Sequence, residues 1–440
     1  MSIKLNIAMI DVDLLSRNKR FPNLAQMKMS AWCKEQGHNV RLIYDSSELP
    51  HLREYDVVLA SKVFTDTEIP EEIIKIINDT TPDVPDFNSK LTLLNSMSVS
   101  DIVTHYVDKI KERPAYTIIQ IGGTGFFPDG GRNLDPEIEN IMPDYDLYNE
   151  FVKTHREKSS RKSYFNDFED CSIGFLTRGC FRKCSFCVNK KYDKSEIVCP
   201  DARRFYKEGT SKIYLWDDNF LAIGEEKCLE LLDNLKSLNV PFQFRQGLDI
   251  RLMTEKIAKK LMECKYYSEF IFAFDHIEDE EIIVKKLNLW KKYCGKKGCK
   301  LYVLCGYDAR SRDSDCEISE LDSIERERER ERDLIDIENT FKRILILMKF
   351  GFLPYVTLYE SYKQSKYRRV YINLRRWCNQ PQFFKKTSFE EYCTLQQKDM
   401  KGNRICSALG SLNLLKEDAP QIYEKYCKCK YECGGNEEGR

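Results

Sequence analysis

The chain has 440 residues, long enough for two or three domains with real cores. Lys+Arg and Asp+Glu are both 70, so the formal charge is zero and no overall basic excess argues for a nucleic-acid binder. No stretch approaches the ~20 apolar residues of a membrane span, the start MSIKLNIAMIDVD lacks a secretory h-region, and 18 scattered cysteines suit the reducing cytoplasm, some as core and some as ligands.

Residues 1–126 alternate strand and helix. Apolar runs at 4–10, 40–44, 55–60 and 116–121 read as strands, with helical patterns over 23–36 and 91–111. Gly37 follows the first helix, where a positive φ closes a C-terminus. Strands alternating with helices imply a parallel, doubly wound sheet, with ligands beyond the carboxyl ends of its strands. Gly122, Gly123 and Gly125 stand at one such end. They read either as a strand-end turn or as a loop that lets a ligand approach the backbone. Residues 127–170 form a linker, rich at first in Pro, Gly, Asp and Asn, then basic and polar over 155–163.

The stretch 172–192, SIGFLTRGCFRKCSFCVNKKY, carries Cys180, Cys184 and Cys187 as C-x3-C-x2-C behind an apolar strand. Thiolates select zinc or iron–sulfur centres over hard cations. Closed zinc sites and ordinary cubanes take four protein ligands, so three on a short loop leave one metal corner open for chemistry. The bland alternative is zinc with a fourth ligand from elsewhere. Beyond the loop come strands at 211–216, 242–246, 269–274, 300–305 and 354–359. Helical stretches separate them at 202–208, 225–237, 254–264, 280–293 and 318–350. Counting 172–177, that makes six strands with helices between them, an incomplete (β/α) barrel with function at its carboxyl strand ends.

The cysteine spacing after a strand, with Phe186 just before the third cysteine, resembles the radical S-adenosylmethionine (SAM) superfamily. PNLAQMKMSAW, GFLTRGC and RQGLDIRLMTE extend the likeness to about residue 377. The resemblance implies an α/β protein, a flavodoxin- or Rossmann-like doubly wound sheet (1–126) followed by a partial (β/α)6 barrel (171–377), with a cysteine-containing extension (378–440). It implies a [4Fe–4S] cluster on Cys180, Cys184 and Cys187, whose unique iron binds SAM. Reductive cleavage of SAM then yields a 5'-deoxyadenosyl radical that takes hydrogen from an unidentified substrate. The electron comes from a one-electron reductant such as flavodoxin or ferredoxin. Phe186, Asp217, Asp218 and Asn219 (in DDNF at the second strand end), and Gln246, Asp249 and Arg251 (at the third) are implied to face SAM or substrate.

For Asp217 and Asp218 the plain reading is a helix cap or surface loop; for Arg251 it is a rim salt bridge in place of the methionyl carboxylate. Asp275 and His276 read as proton handlers or as satisfied structural groups. The N-terminal sheet resembles the cobalamin-binding domain of B12-dependent relatives, in which case the outcome is methylation. The D-x-H-x-x-G ligand sequence is absent, however, with Asp11-Val12-Asp13 after the first strand. A domain that merely covers the barrel is the alternative. The segment Pro143 to Tyr148 resembles the connector between the two domains.

The charge run ERERERERD (325–333) is an exposed helical face. In 361–377, Tyr362, Tyr367, Tyr371 and Trp377 interleave with Lys363, Lys366, Arg368, Arg369, Arg375 and Arg376. That composition suits either stacking and phosphate contacts with a nucleic acid or a helix with aromatics inward and cations outward. Cys427, Cys429 and Cys433, with Cys406 or Cys393, are candidates for a second metal or auxiliary cluster, or are loose thiols. Two other functions stay open: a metal- or cluster-bearing nucleic-acid adaptor without turnover, and a methylthiotransferase acting on RNA.

Overall fold

The structure, a computed structural model, describes residues 3–16, 21–109, 117–127, 129–295, 297–307, 323–395, 397–398, 404–405 and 407–431. It is an α/β protein with parallel sheets, dividing into two compact units: Met1–Asp218 with Asp233–Gln243, and Asn219–Leu232 with Phe244–Arg440. Among the described residues no helix is long and apolar enough to cross a membrane.

In the first unit, strands β1 (Asn6–Asp11), β2 (Asn39–Ile43), β3 (Val57–Ser61) and β4 (Ile118–Gly122) form a parallel sheet in the order β2-β1-β3-β4. β3 is buried throughout and β1 nearly so, because both faces of the sheet are covered. Alternate residues serve two cores. Ile7, Met9, Val57 and Leu59 pack with Met27, Trp32 and Cys33 of helix α1 (Leu24–Glu35). Ala8, Ile10, Val58 and Ala60 pack with Ile73, Ile76 and Ile77 of α2 (Glu71–Thr80) and Leu91 and Leu94 of α3 (Phe87–Ser96). Gly37 has the expected positive φ of +87°.

The helix expected over 91–111 is instead two, α3 and α4 (Val99–Lys109). Ser98 breaks it by accepting the amide of Asp101 with its Oγ, which starts a new helix. The segment read as a linker contributes much of the first core: Tyr145, Leu147, Tyr148, Phe151, Val152, Phe165 and Phe168 are all buried there. Tyr148 Oη accepts from Asn23 N (2.9 Å) and donates to Asp11 (3.0 Å). Tyr145 Oη donates to Phe205 O and accepts from Ile173 N at 3.0 Å, so the connector is stitched to the strand before the cysteines.

The glycines at the end of β4 form a strand-end turn. A Cβ at Gly123 would lie 2.3 Å from Lys62 O, and one at Gly125 would lie 2.5 Å from Lys62 Cγ. Their lack of side chains lets the chain after β3 lie against them, with Gly125 N donating to Lys62 O at 2.9 Å.

The same unit carries β5 (Ser172–Gly174), β6 (Thr177–Arg178), β7 (Glu196–Ile197), β8 (Ile213–Leu215) and all but the last residue of β9 (Phe242–Phe244). β5, β8 and β9 are neighbours in that order, and β6 pairs antiparallel with β7. The single strand expected at 172–177 is therefore interrupted at 175–176. In the second unit β10 (Phe270–Ala273), β11 (Cys299–Cys305) and β12 (Leu353–Leu358) are parallel neighbours, and Leu248 bridges to Phe272. The charge run lies in α5 (Ser323–Phe350), where Glu327–Arg330 and Glu329–Arg332 pair at three-residue spacing.

Candidate metal centre

The cysteine loop, 179–195, leaves from β6 and returns through β7, whose two-residue ladder (Thr177 with Ile197, Arg178 with Glu196) brings its ends together. Gly179 opens the loop with φ +91°, and a Cβ there would lie 2.4 Å from Lys194 O. No other residue tolerates both the left-handed backbone and that approach. Gly179→Ala is therefore expected to destabilise the loop by about 2–3 kcal/mol, from φ strain plus the backbone clash. Limited proteolysis of the metal-free protein checks this: cleavage within 179–195 should accelerate, and an unchanged rate would count against the close approach.

Within the loop, Cys187 N donates to Cys184 O at 3.0 Å, turning the chain between the second and third cysteines. Arg182 N donates to Cys180 Sγ and Asn189 N to Cys187 Sγ, each at 3.4 Å. Amide donors on sulfur are among the groups that set the potential of an iron–sulfur cluster. Lys183 spans the loop to Tyr192 O and to Asp193 at 2.7 Å. Lys191 ties it to Gly131 O (2.8 Å) and Asn133 (2.9 Å).

Two aspartates after β8 hold the stem. Asp217, 1% exposed, accepts from Leu176 N (3.2 Å), Thr177 N (2.6 Å) and Thr177 Oγ1 (2.7 Å). These bonds explain the interrupted strand, because the amides of Leu176 and Thr177 are taken by a side chain. Burial pushes the Asp217 carboxyl up to about 6, against the downward pull of those donors. Asp218 accepts Gly179 N on Oδ2 (2.8 Å) and Asn189 Nδ2 on Oδ1 (2.7 Å). One carboxylate thus joins the residue before the first cysteine to the second residue after the third.

Burial separates these cysteines from the rest. Cys180, Cys184, Cys187 and Cys429 are half-buried, while the other described cysteines are buried. Burial pushes Cys33 and Cys427 up to about 12, and burial and then Cys427 raise Cys393. Such thiols stay protonated and behave as core residues. Among the described residues no group of three His, Cys, Asp or Glu side chains converges as a single metal ion requires. Cys393, Cys427 and Cys429 therefore do not form a site by themselves; Cys406 and Cys433 lie outside the described residues. Cys180, Cys184 and Cys187 likewise share one loop without converging as a single ion's ligands; by donor chemistry alone, three thiolates suit an iron–sulfur cluster or zinc.

The first unit thus gathers Cys180, Cys184, Cys187, Phe186, Asp217 and Asp218 on one loop and its anchor. Phe186 is half-buried. The remaining candidates belong to the second unit. Asn219 is buried there and its carbonyl accepts Ala222 N; Gln246 is exposed. Arg251 spends its fork on Asp249 (2.7 and 3.2 Å) and Asp279 (2.6 Å), the salt-bridge alternative. Asp275 accepts Leu304 N at 3.1 Å, and the buried Arg343 caps the carbonyls of Phe274 and Asp275, which makes Asp275 structural. Asn189 was not legible as a site residue, since its partner Asp218 is 29 positions away.

The carboxyl end between β1 and β3, where a doubly wound sheet takes its ligand, is filled by the chain itself. Asp13 is buried and accepts Val63 N (2.6 Å), Phe64 N (3.3 Å) and Thr67 Oγ1 (2.6 Å), and Tyr148 covers Asp11. Both aspartates at that end are thus held by the chain's own donors.

No protein-family model matches the sequence, and no curated protein matches it.

Proposed function

We propose that the chain is a radical SAM enzyme, with a [4Fe–4S] cluster on Cys180, Cys184 and Cys187 and SAM at the iron that has no protein sulfur. The observation that carries this reading is the clasped loop: three half-buried cysteines, two with amide donors on sulfur, held on either side of the triplet by one carboxylate. Held by Cys180, Cys184 and Cys187, a cluster would supply one-electron reduction of SAM, the chemistry that precedes hydrogen abstraction from a substrate.

The chain's own residues have the supporting tasks. Asp217 and Asp218 orient the loop, the amides of Arg182 and Asn189 polarise the sulfurs, and Phe186 shields the site from water. The order β2-β1-β3-β4 supports a flavodoxin-like N-terminal sheet, and the parallel neighbours β5-β8-β9 and β10-β11-β12 support a partial barrel. With Asp11 and Asp13 held by the chain's own donors, the reading calls on no cobalamin. A low-potential donor, flavodoxin or ferredoxin, is the proposed source of the electron.

The test is anaerobic reconstitution with iron and sulfide, then SAM and dithionite. Wild type is expected to take up about four irons and to form 5'-deoxyadenosine, and Cys184→Ala to form at least a hundredfold less. Colourless protein holding zinc, or equal product from both proteins, would overturn the proposal.

A further inference from the structure

We propose that the exposed face of α6 (Arg368–Cys378), in the second unit, binds the phosphates of a nucleic-acid strand. The helix buries Tyr371, Leu374 and Trp377 and leaves Arg368, Arg369, Arg375 and Arg376 exposed. Tyr367, just before it, is buried as well. The aromatics are therefore turned away from any base, and stacking is not the mode of contact. What remains outside is a row of guanidiniums, which take phosphate oxygens two at a time.

The nearby lysines are already neutralised, Lys363 by Glu360 and Lys366 by Asp418. None of the four arginines is in an ion pair among the described residues. In a chain with equal numbers of acids and bases, that is a local positive excess. Arg368, Arg369 and Arg376 rim a groove of about 330 Å³ together with Ile372 and Asn373. Arg368 and Arg376 are eight positions apart, about 12 Å along the helix axis, enough to follow a backbone past more than one phosphate.

Asn373 lines the groove and is 2% exposed. Its Nδ2 donates to Ser411 Oγ at 3.0 Å, and the Ser411 hydroxyl is committed to Ala408 O at 2.7 Å. The amide therefore cannot be turned round, and its Oδ1 is left as an acceptor with no partner. That atom has no exposed surface, so what the groove offers a ligand is its guanidiniums. A bilayer fits less well, because the helix offers no apolar wedge beside its cations. Sequence-tolerant phosphate contact follows, with affinity set by counterion release. This holds whether or not the cluster reading is correct.

The experiment measures binding of fluorescein-labelled oligothymidine to the full chain by anisotropy, across about 50 to 200 mM salt. Four phosphate contacts predict a log–log slope of about −3, roughly a fiftyfold loss over that range. The variant Arg368→Gln/Arg369→Gln/Arg375→Gln/Arg376→Gln changes only exposed side chains. It should keep the wild-type melting temperature and lose both affinity and slope. Absence of binding by wild type would overturn the proposal, as would equal binding by the variant. Loss of binding to phosphatidylserine vesicles in the variant, with oligothymidine binding unchanged, would overturn it in favour of a lipid surface.

Discussion

Metal-free protein carrying Asp218→Ala is expected to expose Cys180, Cys184 and Cys187 to iodoacetamide about thirtyfold faster than wild type. The carboxylate receives one backbone and one side-chain donor, from the two sides of the cysteine triplet. Hydrogen bonds to a charged acceptor are worth about 1.5–3 kcal/mol each, and Asp218 is only half-buried. We therefore take about 2 kcal/mol for the pair, which is the thirtyfold. Iron uptake should fall in parallel, because three ligands that no longer share a frame must be ordered by the cluster itself.

Asp218→Asn separates this role from the one implied by resemblance. The asparagine Oδ1 keeps Gly179 N, and its amide can donate to Asn189 once that side chain turns over. The clasp survives without its charge, so alkylation should stay near the wild-type rate. A carboxylate serving the SAM ammonium group would instead lose SAM affinity in the asparagine variant, with the loop undisturbed. Alkylation and SAM affinity, measured on the same two variants, decide between positioning and cofactor contact. Slow alkylation in Asp218→Ala would sink the clasp.

Asp217→Ala is expected to cost more stability, about 3 kcal/mol. It leaves the amides of Leu176 and Thr177 and the Thr177 hydroxyl without their acceptor in a buried place, and each orphaned donor costs about 1–3 kcal/mol. Urea denaturation followed by tryptophan fluorescence should show an earlier transition. Asp217→Asn keeps an acceptor and should recover most of the loss.

The two proteins also differ in pH dependence. With its carboxyl pushed up to about 6 by burial, folded Asp217 holds its proton more tightly than the unfolded chain does. Its contribution to stability is thus fully present below pH ~4 and is lost as pH rises through ~6, by about 3 kcal/mol in all. Wild type should lose that increment between pH 4 and 7, while Asp217→Asn should not. Parallel stability curves for the two proteins would remove the argument.

Much of the frame was legible along the chain. The apolar runs that became β1 and β3 were visible because a strand covered on both faces needs no polar alternation. Gly37 was visible because a helix end needs a residue that accepts positive φ. Cys180, Cys184 and Cys187 stood out by spacing alone. Tyr145 and Tyr148 were not legible as core: they sit among Asp, Pro and Asn, which signal a loop, and only their distant partners Phe205 and Asp11 draw them inward. The aromatics of 361–377 carried two meanings until the helix buried one of its faces.

What the sequence determined by itself was local: the alternation of strand and helix, the three thiols on one loop, and the aspartates after a strand. Only the tertiary structure decided what those aspartates hold and that Arg251 is taken by Asp249 and Asp279 rather than left for a ligand. The physical reason is that a buried donor or acceptor must be satisfied by whatever lies within three ångströms of it. Gly179 and Asp218 are 39 residues apart in sequence, and no local pattern carries that proximity.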